Sequence, residues 1–167
     1  DLDLSIVAER HRLAAAASVA AATRHLGRPI VGGEERVGEH EREARSPIDR
    51  TRLLGLCADA APADIEDAFR LARAAQPAWN RLGGARRAQV LRAMGEALET
   101  HQDELIGLAV LEAGKSYADA IAEVREAVDF CRYYALQAEK LFAGPEVLRG
   151  PVGETNSLSL HGRGVFV

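Results

Sequence analysis

The stretch from Leu111 to Phe142, LEAGKSYADAIAEVREAVDFCRYYALQAEKLF, restricts what this chain can fold into more than any other. Apolar residues recur at Ile121, Val124, Val128, Cys131, Ala135, Ala138 and Phe142. These alternating steps of three and four draw one continuous stripe along a helix. At about 1.5 Å of rise per residue, a helix from Ser116 to Phe142 is roughly 40 Å long, a strut that needs a packing partner along its stripe. The opposite side carries Asp119, Glu123, Glu126, Asp129, Arg132 and Lys140. Arg125 and Asp129, four apart, and Asp129 and Arg132, three apart, are spaced to pair on the surface.

Bulk properties set the class around that strut. A chain of 167 residues, 47% hydrophobic and 28% charged, has the make-up of one globular domain or a piece of one. Its net charge is −4 and its basic residues are interleaved with acidic ones, which excludes the basic footprint of a nucleic-acid binder. No apolar run approaches the roughly 18 residues of a membrane span. The alanine-rich run from Leu13 to Ala22 follows Glu9, Arg10, His11 and Arg12, a mixed-sign flank unlike a signal peptide. A reducing, cytoplasmic setting is expected. Cys57 and Cys131 stand far apart with no ligand spacing, so each is expected to be a small buried apolar residue. The first residue is Asp1, and Val165-Phe166-Val167 reads as a buried strand broken off part-way, so both ends read as cut.

Taken in order, residues 2–26 read as a first helix with Leu4, Val7, Leu13, Ala17 and Ala20 on one face and Gly27 as its stop. Residues 28–33 read as a short strand into a glycine turn, 34–45 as the outer part of a hairpin or a loop, and Leu53 to Cys57 as a strand pairing with the first. Pro62 and Asp64 mark a helix start whose buried face is expected at Ile65, Ala68, Phe69, Ala72, Ala75 and Trp79. Pro77 lies near its end, and Gly83-Gly84 separate it from a third helix. That helix is expected to bury Val90, Leu91, Met94 and Leu98, then Leu105, Ile106, Leu108 and Leu111 beyond a kink or break near 100–103. Past Phe142 the turn-rich pieces 143–145 and 150–153 flank an extended Val147-Leu148, and 156–160 reads as a half-exposed strand. Three or four antiparallel helices with short strands at 28–57 and 147–167 is the expected picture.

Chemistry is sparse on the pattern alone. Gly32-Gly33 lack the following glycine and helix opening of a phosphate cradle. Gly162-Arg163-Gly164 has a fingerprint's spacing, but the strand follows it instead of preceding it, which is ordinary turn chemistry. The five histidines, His11, His25, His40, His101 and His161, offer no pair at ligand spacing, so no metal site is expected. Glu123 and Glu126, with Asp119 one turn earlier, leave two readings open: a paired-carboxylate site or a solvated acidic face.

The order of several segments carries more. Gly32-Gly33, Ser46-Pro47-x-x-Arg50, residues 64–69 leading to Trp79, Arg86-Arg87 with 91–99, residues 104–108, Glu112-Ala113-Gly114-Lys115 and residues 123–135 together resemble the N-terminal part of the aldehyde dehydrogenase superfamily over about 28–167. Within it, residues 125–134, 150–156 and 162–167 are most similar to the dehydrogenase half of the bifunctional proline utilisation A family, which acts on L-glutamate γ-semialdehyde (1-pyrroline-5-carboxylate). The resemblance implies an α/β parent fold, of which this chain supplies a mainly α-helical part with short strands. It implies an approach segment at 1–27, the helical N-terminal part of an NAD-binding domain at 28–149, the first pass of an oligomerisation flap at 150–162, and the start of a further strand at 163–167.

The implied parent reaction is attack of a cysteine thiolate on the aldehyde, with asparagine and backbone amides holding the oxyanion, hydride transfer to NAD, and hydrolysis of the thioester to glutamate. Neither Cys57 nor Cys131 stands in the nucleophile's place, so this piece is expected to be inactive alone, with no catalytic, cofactor-binding or metal residue of its own. FAD is implied only if a proline-oxidising half precedes residue 1. One residue is implied at the substrate: Glu126, facing the amino group of the semialdehyde. The parent is expected to form a homo-oligomer, with a small-molecule aldehyde as its other partner. Alternatives are an aldehyde dehydrogenase of other specificity, such as one for succinate semialdehyde, and a non-catalytic interaction or scaffold remnant docking through its apolar stripe.

Overall fold

The computed structural model describes residues 2–166. In chain order the elements are α1 (Val7–Ala22), β1 (His25–Gly27), β2 (Ile30–Val31), β3 (Glu34–Glu35), β4 (Glu39–Arg45), β5 (Leu53–Asp59), α2 (Pro62–Arg81), α3 (Gly83–Thr100), α4 (Gln102–Ala113), α5 (Tyr117–Leu141), β6 (Glu146–Leu148) and β7 (Asn156–Leu158). A mainly helical chain with short strands is what the sequence leads one to expect, and α5 is the strut.

Both ends of α5 follow from local chemistry. Gly114 takes a left-handed conformation (φ 68°) that closes α4, and the chain restarts at Ser116, whose hydroxyl accepts a 3.2 Å hydrogen bond from the Asp119 amide. That bond satisfies one of the amide groups a helix start leaves open. Along α5, Val128 and Ala135 are buried, the rest of the stripe is half-buried, and Asp119, Glu123, Glu126, Asp129, Arg132 and Lys140 are exposed. Arg125 pairs with Asp129 at 3.8 Å, whereas Arg132 reaches across to Glu99 at 2.7 Å instead of back to Asp129.

The stripe packs on α3, and α3 lies antiparallel to it. Gly84 meets Ala138 and Phe142, Arg92 holds Glu139 through two hydrogen bonds of 2.7 and 2.8 Å, and Gly95 meets Val128 and Cys131. The buried face of α3 is Gly84, Ala88 and Gly95 with half-buried Leu91 and Leu98 between them. Val90 and Met94, expected inside, are exposed. Close approach of two backbones selects small residues, so the seam runs where bulk is least. The expected break after α3 is present, at His101.

Elsewhere the expectations need correction. The first helix stops at Ala22, and His25–Gly27 becomes a strand paired in parallel with β5. β5 is the centre of the order β1-β5-β4 and does not pair with the segment at 30–31, which instead turns through Gly32 and Gly33 (φ 63° and 86°) onto β3. Two consecutive positive φ values are what a tight two-residue hairpin requires. The expected antiparallel arrangement fails for α1, which lies parallel to α4: Arg12 pairs with Asp103 at 3.1 Å, Gly107 abuts Ala16 and Ala17, and Ala20 packs with Leu111. Long connections lie between these two helices, so no short loop forces them to reverse. Leu13, Ile106 and Ala120 form the core that joins them to α5.

Helix α2 begins as expected, with Pro62 in its first turn and the Asp64 carboxylate accepting from the Ala61 amide at 3.1 Å. No residue of α2 is buried, however, and Ile65, Phe69 and Trp79 are exposed because its apolar face has no covering element among the described residues. β6 and β7 form an antiparallel hairpin over the expected extended pieces. Val165 and Phe166 lie in no strand, since no neighbouring strand is present among the described residues to pair with them; Val167 lies outside that range.

Two outcomes follow from the α3–α5 contact. A Cβ at Gly84 would overlap the Ala138 carbonyl, so Gly84→Ala is expected to lower unfolding stability by about 1–3 kcal/mol in urea titrations; an unchanged midpoint would show that the helices are free to separate. Hydrogen bonding from Arg92, reinforced by its charge, holds the Glu139 carboxyl below the ordinary carboxylate range. A lowered native value means the contribution is fully present above the ordinary range and is lost as pH falls through the lowered value. Urea midpoints of the wild type and Glu139→Gln should therefore differ near neutrality and converge in acid.

Candidate functional site

The side of α5 opposite its packed stripe carries a shallow hollow of about 640 Å³, lined by Ala122, Arg125, Glu126, Asp129, Phe130 and Tyr133. Steps of four and seven from Glu126 reach Phe130 and Tyr133, so helical geometry alone puts the carboxylate and two rings on one face. The rings are not independent. Phe130 stacks on Tyr134 with centroids 6.0 Å apart, and Tyr134 meets Tyr133 edge-on at 5.2 Å.

The acidic residues of α5 differ in what they already hold. Asp119 accepts a hydrogen bond from the Ser116 hydroxyl at 2.7 Å, Glu123 takes the Lys115 ammonium at 2.8 Å, and Asp129 is paired with Arg125. The Glu123 bond raises the Lys115 pKa above its ordinary value, with the charges of Glu123 and Asp119 adding to it. Glu126 is exposed and has no hydrogen-bond or ion-pair partner among the described residues. Glu123 and Glu126 thus do not assemble as a carboxylate pair. With Arg125 and Asp129 offsetting each other, the hollow keeps one uncompensated negative charge beside aromatic surface. Phe130 and Tyr133 share this face with the charged Arg125, Glu126 and Asp129, so no apolar period marks the two rings in the sequence.

The cysteines separate. Cys131 is half-buried in the stripe, but Cys57 is exposed, contrary to expectation, because its β1 neighbour is Gly27, which has no side chain to cover it. Gly32 and Gly33 are used in the hairpin turn, and Gly162 and Gly164 lie in an irregular segment, with the Gly162 amide donating to Asn80 Oδ1 at 2.9 Å. Among the described residues no group of His, Cys, Asp and Glu could hold a metal, and no helix is long and apolar enough to cross a membrane.

Residues 35–167 match the aldehyde dehydrogenase family. The chain belongs to that family. It is 35% identical to the bifunctional protein PutA of Escherichia coli over 140 residues, which is 82% of this chain and 10% of that protein. It is also 35% identical to the 1-pyrroline-5-carboxylate dehydrogenase of Anoxybacillus flavithermus over 127 residues, 76% of this chain and 24% of that protein. The fold matches a 1-pyrroline-5-carboxylate dehydrogenase from Thermus, solved with bound NAD, at a TM-score of 0.84 and 24% identity, over 92% of this chain and 30% of that one. This chain therefore spans about a tenth of the bifunctional relative and about a quarter of the single dehydrogenase.

Proposed function

We propose that this segment serves an NAD-dependent dehydrogenase oxidising L-glutamate γ-semialdehyde to glutamate in proline catabolism, and that Glu126 binds the substrate's ammonium group. The observation that carries the reading is the carboxylate of Glu126, without an ion-pair or hydrogen-bond partner among the described residues, in a hollow also lined by Phe130 and Tyr133. A carboxylate meeting an ammonium in a site drained of water makes a charge-assisted hydrogen bond, among the stronger polar contacts a protein forms. Succinate semialdehyde carries a carboxylate but no ammonium, so it would leave the Glu126 charge unmatched, which disfavours it as substrate. Likeness to the bifunctional and single dehydrogenases of proline breakdown points the same way.

In this reading residues 28–149 are the helical N-terminal part of the NAD-binding domain, with 1–27 as the approach segment, and 150–162 make the first pass of the flap. The nucleophilic cysteine and the NAD contacts belong to the complete enzyme, since neither Cys57 nor Cys131 lines the hollow. The setting is cytoplasmic, which suits two free thiols. FAD enters only with a proline-oxidising half. The complete enzyme is a homo-oligomer through the β6–β7 hairpin, where Val147 and Leu158 are exposed on the two strands and Val152 on the turn between them.

Glu126→Gln in the complete dehydrogenase should lower kcat/KM for the semialdehyde by about tenfold to about 100-fold and leave propanal oxidation unchanged. An unchanged ratio between the two aldehydes removes Glu126 from substrate recognition. For the assembly, Val152→Asp in the complete enzyme should shift sedimentation toward a smaller species; an unaltered sedimentation coefficient would place the interface elsewhere.

A further inference from the structure

We propose that Phe130 is the second half of the ammonium seat, a specificity-determining ring that faces the cation from the side Glu126 does not occupy. The inference rests on the proposed role of Glu126 and adds to it what selects an amine-bearing aldehyde over a neutral one. Both residues line the same hollow, and Phe130 follows Glu126 by four positions, one turn along the same face. Helical side chains lean toward the helix start, so the Phe130 ring covers the turn that carries Glu126. A carboxylate alone would accept any cation or hydrogen-bond donor. A carboxylate beside an aromatic face favours a primary ammonium on a short aliphatic stem, because the ring attracts the charge and also covers the methylenes.

The ring is held before any ligand arrives. Phe130 is half exposed, yet its plane is set by stacking on Tyr134, which is in turn braced edge-on by Tyr133. Three linked rings on two successive turns spend rotamer freedom in advance of binding, which lowers what binding must cost. The competing local cation is already occupied: Arg125 lies in the same lining but pairs with Asp129.

The test uses the complete dehydrogenase with L-glutamate γ-semialdehyde and propanal as substrates. Phe130→Leu should raise KM for the semialdehyde by about threefold to about 30-fold with a much smaller change for propanal, and Phe130→Tyr should keep the wild-type ratio between the two. Replacing Phe130 with phenylalanine bearing one, two and three fluorines keeps the shape and drains the ring's negative face, so KM for the semialdehyde should climb stepwise even if the leucine variant folds poorly. Equal losses on both aldehydes, or a flat fluorine series, overturn the proposal. Measured alongside, Glu126→Gln separates the two readings. If it abolishes discrimination while the fluorine series is flat, the carboxylate stands and the ring falls; if neither substitution alters discrimination, both fall.

Discussion

The contact between α3 and α5 is the constraint on which the rest of this structure depends. Gly84, Ala88 and Gly95 let two backbones lie so close that the stripe of α5 from Val128 to Phe142 is committed to α3, while its first turns pack on α1 and α4. Two ion pairs cross the gap, Arg92 with Glu139 within the seam and Arg132 with Glu99 just beyond Gly95. These pairs are partly exposed and add little by themselves; their effect is on register, because a slide by one turn would separate both at once. With one side of α5 immobilised, its other side presents Glu126, Phe130 and Tyr133 at fixed spacing. The site is therefore built on a rigid element, which favours precise placement of a small ligand.

Legibility in the sequence divides along the line between local and non-local causes. The sequence places the strut over Ser116 to Phe142, and it runs Tyr117–Leu141 with those two residues as its caps, because period and capping chemistry are both encoded within the segment. The break at His101 and the turn at Gly32-Gly33 were legible for the same reason. What failed depended on partners distant in sequence. His25–Gly27 is a strand only because β5 lies beside it, and the inner face of α3 was misplaced because large residues such as Met94 draw attention while the contact selects for small ones. Cys57 was misjudged likewise: its exposure is decided by Gly27 across the sheet.

The site shows the same division in sharper form. Asp119, Glu123, Glu126 and Asp129 look equivalent as a helical pattern, and only the resemblance to aldehyde dehydrogenases singles out Glu126. The structure distinguishes it physically, since Ser116, Lys115 and Arg125 engage the other three. Isolation of one carboxylate among four is a property of side-chain geometry that spacing alone cannot express.

The parallel docking of α1 on α4 has a consequence for how the chain assembles. Arg12 and Asp103, Ala17 and Gly107, and Ala20 and Leu111 are each about ninety residues apart, so these contacts close a long loop and are entropically slow to form. At about 5–20 residues per second of synthesis, α1 waits on the order of 5–20 s before its partner emerges from the ribosome. Its run of alanines suits that delay: it is a segment helical by its own propensity yet poor in exposed bulk, which limits how strongly it sticks to anything else in the interval.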